Sequence, residues 1–132
     1  MPVPPPRISD AEWSVMRAMW SLGTANATEV VETLAGQNSW SPRTVRTLLG
    51  RLVKKGALGY REQGREYLYH PLIDERSTEL EASRSFLDRV FDGKLAPFLA
   101  GFVESGDYSN ADLEALKRIV EGTDTEDSSK KP

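Results

Sequence analysis

SPRTVRTLLGRLVKKG, residues 41–56, is the stretch that decides the fold of this chain. It contains five basic residues and no acidic one, although the whole chain has 17 Lys and Arg against 20 Asp and Glu. Ser41 followed by Pro42 is a strong helix-start signal, because serine caps a free backbone N–H and proline fits the first helical position. Gly56 is typical of the residue that ends a helix. The stretch is therefore predicted to form one short basic helix.

On a helical wheel of about 100° per residue, the apolar and basic side chains of this helix separate. The apolar side consists of Val45, Leu48, Leu49 and Leu52, with Val53 at its margin. The opposite side consists of Arg43, Thr47, Gly50 and Lys54, flanked by Thr44, Arg46 and Arg51. Burial of the apolar side would leave a continuous basic surface. Gly50 either lets a phosphate approach closely or is merely tolerated there, and the sequence leaves both open.

The basic character extends beyond this helix. Residues 38–70 contain seven basic and two acidic residues, a net charge of +5, so the remainder of the chain carries −8 to give the total of −3. Such asymmetry favours a surface that binds a polyanion. The alternative is an ordinary solvated helix face.

The segments on either side predict a winged helix-turn-helix. Ser9 to Glu12 fits a capping box for a helix over 10–21, and a second helix begins at Asn26 or Ala27 and ends near Gly36. Residues 57–61 and 65–70 are typical of strands, with a turn at Gln63-Gly64. The fold class is thus mostly α with a small β-hairpin. In this arrangement the third helix enters the DNA major groove and the hairpin is the wing.

Residues 73–121 show three further apolar helical patterns. Their apolar positions are Leu80, Leu87, Val90 and Phe91, then Leu95, Phe98, Leu99 and Phe102, then Leu113, Leu116, Ile119 and Val120. Three short helices cannot bury all these faces alone. We therefore expect this region to pair with a second copy of the chain. Packing back onto the winged helix as a monomer is the alternative.

The two ends are predicted to lie outside the folded regions. Residues 1–7 include four prolines and are expected to form a flexible arm, and the polar residues 122–132 to form a disordered tail. The predicted domains are therefore a winged helix over 8–72 and a dimerisation region over 73–121.

Composition excludes several function classes. Cysteine is absent, which removes thiolate metal sites and cysteine nucleophiles. We expect no membrane insertion and a cytoplasmic location, because there is neither a long apolar run nor a signal peptide. No P-loop, dinucleotide-binding turn or Ser/His/Asp set occurs, and His70 is interpreted as structural. We therefore expect no catalytic residue, metal or cofactor. A protein-interaction module remains the alternative to a DNA-binding protein.

Four motifs carry a family resemblance. ISDAEWSVMRAMW, SPRTVRTLLGRLVKKG, REYLYHPLI and SFLDRVFDGKLAPFLAGFVESGDYSNADLEALKRIV together resemble the penicillinase-repressor family (BlaI/MecI/CopY) over roughly residues 8–121. The resemblance implies a homodimeric transcriptional repressor that binds a palindromic operator and controls β-lactam-resistance, metal or stress genes. By matching position, the implied DNA-contacting residues are Ser41, Arg43, Thr44, Arg46, Thr47, Arg51, Lys54 and, on the wing, Arg65.

Two departures from the family concern its inducing signal. Copper-sensing members carry a C-terminal cysteine cluster, which this chain lacks. Members that respond to β-lactams are cut by a sensor protease at an Asn–Phe bond in the second dimerisation helix, and the matching bond here is Gly101–Phe102. Phe is present and Asn is not, so cleavage by a protease of the family type is put in doubt and the signal stays open.

Overall fold

The computed structural model describes residues 6–130, with side chains as far as Gly122. Over this range the elements are α1 (Asp10–Leu22), α2 (Ala27–Leu34), α3 (Pro42–Lys54), β1 (Leu58–Gln63), β2 (Glu66–Pro71), α4 (Glu75–Phe91), α5 (Leu95–Ser105) and α6 (Asn110–Lys130). The chain divides into two compact units, Met1–Arg84 and Ser85–Pro132, and α4 contributes residues to both. None of the helices described is both long and apolar enough to cross a bilayer.

Side-chain caps fix where the first three helices begin. The Glu12 N–H donates to Ser9 Oγ at 3.2 Å and the Ser9 N–H donates to Glu12 Oε1 at 2.8 Å, which is the predicted capping box of α1. Asn26 and Glu29 form a second box at α2, which we did not predict. Ser41 caps α3 and Pro42 occupies its first turn, as predicted. These starts follow from local sequence because each cap spans only three residues.

The hairpin is confirmed, but its turn lies one residue later than predicted. Gln63 pairs with Glu66, so Gly64 and Arg65 form the two-residue loop. Gly64 has φ 65°, a conformation that favours glycine and that such short hairpin loops require. Because Gly64, the residue with positive φ, is the first residue of the loop, Gln63 lies in β1 and Arg65 lies outside β2.

The core of the first unit lies between α1, α2, α3 and the start of the hairpin. Its buried members are Val15, Met16, Ala18, Met19, Ala25, Val30, Leu34, Val45, Leu48, Leu49, Leu52, Ala57 and Leu58. The hairpin is joined to the segment between α1 and α2 by two backbone hydrogen bonds, from the Ala25 N–H to the Tyr69 oxygen at 3.1 Å and from the Tyr69 N–H to the Ala25 oxygen at 2.8 Å. These bonds hold the wing against the helices.

One carboxylate is buried at the edge of this core. Glu12 is 1% exposed, and its Oε1 lies 2.5 Å from the Lys55 Nζ at the end of α3. Burial raises the pKa of Glu12, but the hydrogen bonds from Lys55 and Ser9 outweigh burial, so the pKa is lowered overall. The pair joins the start of α1 to the end of α3 across 43 residues of sequence.

The segment between the wing and α4 is anchored to α1. Trp20 Nε1 donates to the Ile73 carbonyl oxygen at 3.0 Å. Asp74 Oδ2 then accepts from the Ser77 N–H and the Ser77 hydroxyl, both at 2.9 Å, which caps α4. The first unit therefore continues past the boundary that we predicted at residue 72, and Leu80 belongs to it.

The second unit has a ring cluster but no buried side chain among its described residues. Phe86, Phe91, Phe98 and Phe102 meet through centroid distances of 5.2 to 6.0 Å. α6 continues to Lys130, although we predicted a disordered tail from residue 122. Helical hydrogen bonds are satisfied within the segment, so a polar composition does not prevent a helical backbone. Residues 1–5 of the predicted arm lie outside the described residues.

Glu12→Gln should destabilise the fold by about 1–3 kcal/mol near neutral pH, because it leaves the buried end of the pair with Lys55 without its charge. Since the pKa of Glu12 is lowered in the folded state, the contribution is present above the unfolded value of 4.5 and is lost as pH falls through the folded pKa. Urea unfolding of both proteins near neutral pH and at about pH 3 measures it. The control is Glu32→Gln, an exposed residue. A gap between wild type and Glu12→Gln that stays constant at acid pH would contradict this account.

Candidate nucleic-acid interface

The candidate interface begins with the outer side of α3. Its apolar side is buried, with Leu49 and Leu52 fully inaccessible. The predicted contact residues on this helix and at its cap are all exposed: Ser41, Arg43, Thr44, Arg46, Thr47, Arg51 and Lys54. The structure therefore brings these seven residues together on one surface, which we call the α3 outer face.

Four cations of this face are left without an acidic partner among the described residues. Among the side chains that the structure describes, Arg43, Arg46, Arg51 and Lys54 form no ion pair. Lys55, the fifth basic residue of the stretch 41–56, is held by Glu12 and by the Arg7 carbonyl oxygen at 2.6 Å. The outer face thus presents four free charges rather than five. Free cations are the groups that can replace counterions on a nucleic-acid backbone.

The hydroxyl groups of the face are already engaged in the helix. Ser41 Oγ accepts from the Thr44 N–H at 3.2 Å and lies 3.1 Å from Thr44 Oγ1. Thr47 Oγ1 donates to the Arg43 carbonyl oxygen at 3.0 Å. These hydroxyls still have free acceptor lone pairs, so they can receive hydrogen bonds from a base edge without breaking the cap.

The wing adds a second exposed surface. Arg65 lies in the hairpin loop and Arg61 on β1, and both are exposed. Glu66, the first residue of β2, accepts a hydrogen bond from Asn26 Nδ2 at 3.1 Å, which fastens the outer part of the wing to the start of α2. Arg65 and the α3 outer face both belong to the first unit.

A tyrosine cluster on the wing was not predicted as part of the site. The Tyr60 and Tyr67 ring centroids are 4.7 Å apart, and Tyr69 lies 6.2 Å from Tyr60 and 6.4 Å from Tyr67. The signal was available in principle, because antiparallel strands with a two-residue loop place Tyr60 opposite Tyr69. The one-residue error in the turn concealed this pairing.

The predicted dimerisation residues are divided between exposed and partly buried positions. Exposed are Leu80, Val90, Leu95, Phe102, Ile119 and Val120, and partly buried are Leu87, Phe91, Phe98, Leu99, Leu113 and Leu116. Leu80 belongs to the first unit and the other residues to the second. Gly101 and Phe102, the bond at which a protease was considered, lie inside α5 and are both exposed. Within the described residues, no group of three His, Cys, Asp or Glu is placed to hold a metal ion.

Three helices followed by a hairpin, with an exposed basic face on the third helix, define a winged helix-turn-helix protein. The chain belongs to the penicillinase repressor family, whose model matches residues 8–122. This confirms the resemblance seen in the sequence.

Relatives and a solved structure agree with that membership. The chain is 40% identical to the penicillinase repressor of Bacillus licheniformis, over 88% of this chain and 91% of that one. It is 34% identical to the methicillin resistance regulatory protein MecI of Staphylococcus aureus (strain N315), over 86% and 92%. The solution structure of the DNA binding domain of the repressor BlaI matches with a TM-score of 0.50 and 45% identity, over 57% of this chain and 90% of that one.

Gly50→Ala should stabilise the winged helix by up to about 1 kcal/mol. Gly50 lies inside α3 and is exposed, and a methyl group at this position would have no atom within 4 Å, so alanine gains helix propensity without a clash. Gly56→Ala is the matched contrast, because Gly56 follows the same helix with φ 84° and alanine should destabilise there by about 1 kcal/mol. Denaturant unfolding of both variants provides the measurement. Destabilisation by Gly50→Ala would show that this position has a constraint the structure does not explain.

Proposed function

We propose that this protein is a sequence-specific DNA-binding transcriptional repressor that acts in the cytoplasm. The observation that carries the proposal is the α3 outer face, where four unpaired cations lie on a helix whose other side is buried. A duplex major groove about 12 Å wide admits one helix, and its phosphates attract cations from both edges. Membership of a repressor family supports the same function.

The positions along α3 suggest a division of roles. Arg43, Arg46 and Thr47 lie in the N-terminal half, which in helix-turn-helix proteins contacts base edges. A guanidinium can donate two hydrogen bonds to guanine, which reads sequence. Arg51 and Lys54 lie in the last turn, where a flexible cation is suited to phosphate.

We propose a homodimer formed through the second unit. None of the described side chains in this unit is buried, and Phe102, Ile119 and Val120 are 48%, 64% and 52% exposed. Apolar surface of this kind is stabilised by a partner that covers it. A twofold dimer would present two copies of α3 to half-sites about 34 Å apart, which calls for a palindromic operator.

We propose no specific protease as a partner, but the Gly101–Phe102 bond has features that bear on one. It is exposed on α5, and glycine weakens a helix interior by about 1 kcal/mol relative to alanine, which favours local opening. A protease that recognises an Asn side chain would find none at this bond. The signal that releases the repressor is thus expected to involve either a protease with a different requirement or another mechanism.

Arg46→Ala should weaken binding to a preferred duplex by roughly 1–3 kcal/mol and reduce discrimination between that duplex and random DNA. Lys54→Ala should weaken both by the same factor and lower the slope of log affinity against log salt by about 1. The preferred duplex is one selected from a random-sequence pool by the wild type, and titrations at several salt concentrations measure both quantities. Binding to DNA that does not depend on salt would refute the proposal and favour a protein partner for the winged helix.

Phe102→Asp should convert the dimer to a monomer at micromolar concentration, because a charge placed in the dimer interface would lose its water. Operator affinity should fall because bivalent binding is lost, while the first unit stays folded. Ala100→Asp is the matched control, since residue 100 is exposed on the opposite side of the same helix. Sedimentation equilibrium gives the oligomeric state. If the wild type is already a monomer at that concentration, the proposed dimer is wrong, whereas DNA binding by the first unit is not affected by that result.

A further inference from the structure

The tyrosine cluster lies on the side of the hairpin that faces the helices. Alternate residues of a strand share a side, so Leu58 and Tyr60 of β1 lie on the same side as their partners Pro71 and Tyr69 of β2. Leu58 is 1% exposed in the core, whereas Tyr60 is 46% exposed. The side that starts in the core therefore continues beyond it, and there it carries Tyr60, Tyr67 and Tyr69 together with Glu62, the strand partner of Tyr67.

The two most exposed of the three tyrosines have hydroxyl groups without a hydrogen-bond partner among the described residues. Tyr60 and Tyr67 are each 46% exposed, and their rings are in tilted contact with centroids 4.7 Å apart. Neither phenol makes a hydrogen bond to any residue that the structure describes. Tyr69 differs, because its ring packs against the core. The cluster thus holds two exposed phenols in ring contact, with their hydroxyls available to a partner.

The cluster lies on the hairpin against which α3 packs. α3 packs against β1, and the electrostatic effect of Arg46 is felt at Tyr69. Burial raises the pKa of the Tyr69 phenol most, the phenol of Tyr67 raises it further, and the positive charge of Arg46 counteracts them. Tyr60 therefore lies on the strand against which α3 packs, and the Tyr67 ring centroid is 4.7 Å from that of Tyr60.

We propose that Tyr60 and Tyr67 donate hydrogen bonds to phosphate oxygens of the DNA strand that borders the groove occupied by α3. This inference rests on the proposed function and assigns these tyrosines as positioning residues, which fix the depth and angle of α3 without reading sequence. A phenol is a neutral donor, so each contact would add affinity without displacing a counterion. The contact between the two rings already restricts their rotamers, so less side-chain entropy would be lost when a phenol binds.

The competing explanation is that the cluster only stabilises the hairpin. A cluster with that role needs rings and not hydroxyls, so phenylalanine would serve equally well. Tyr→Phe substitution therefore separates the two roles, since it keeps the ring contacts and removes only the donor.

The experiment compares Tyr60→Phe, Tyr67→Phe and the double variant with the wild type. Tyr108→Phe is the matched control, because Tyr108 is 38% exposed but lies in the second unit between α5 and α6. Each wing variant should bind about 10-fold more weakly, as expected for a hydrogen bond to a charged group. The loss should be equal on the selected duplex and on random duplex, and the salt slope should not change. The thermal unfolding midpoint should equal that of the wild type.

The outcomes distinguish this inference from the proposed function. If the wild type binds neither duplex, the proposed function fails and the inference fails with it. If the wild type binds and Arg46→Ala reduces discrimination, but the wing variants bind as tightly as the wild type, only the inference is overturned. A loss of affinity that is accompanied by a lower unfolding midpoint would also overturn it, because the tyrosines would then act through the fold.

Discussion

Burial of the apolar side of α3 is the constraint on which the rest of the structure depends. Val45, Leu49 and Leu52 are at most 1% exposed, in a core shared with α1 and α2. Each such side chain is worth roughly 1.5–3 kcal/mol when it leaves water, so rotation of the helix about its axis would be strongly unfavourable. Because helical positions are fixed relative to one another, this burial also determines which residues face outward. The core thereby orients Arg43, Arg46 and Lys54 without contacting their charges.

The Lys55–Glu12 pair shows how the same helix is fixed along its length. An ion pair at the edge of a core contributes little net stability when both charges have to leave water. Removing one partner is nevertheless costly, because the other charge is then buried and unpaired. Here the Lys55 side chain is 35% exposed while that of Glu12 is almost fully covered. Glu12 therefore accounts for most of the free-energy cost of desolvation. Lys55 is therefore not available as a free surface cation, and its bond to Glu12 connects the end of α3 to the first turn of α1.

Structural features that depend on residues close together in the chain were predicted from the sequence. Features that depend on contacts between distant residues were missed. The caps at Ser9 and Ser41 and the two sides of α3 follow from spacings of three or four residues, and all were predicted. The turn was placed one residue early because the position of the left-handed residue depends on strand pairing. Nothing near Lys55 in the sequence reveals its partner Glu12, which lies 43 residues away. The tyrosine cluster depends on the register of the hairpin, which follows from where the turn lies.

The two units differ in where their apolar residues lie, and this bears on regulation. Among the described residues, 13 apolar ones are buried in the first unit, whereas the described side chains of the second unit include none that is buried. In the dimer that we propose, the partner copy would supply the cover that the second unit lacks, so this unit would depend on association far more than the first. Anything that separates the copies would then remove bivalent binding without altering α3. A repressor built this way can keep its DNA-reading helix unchanged while a signal acts only on the helices that hold the dimer together.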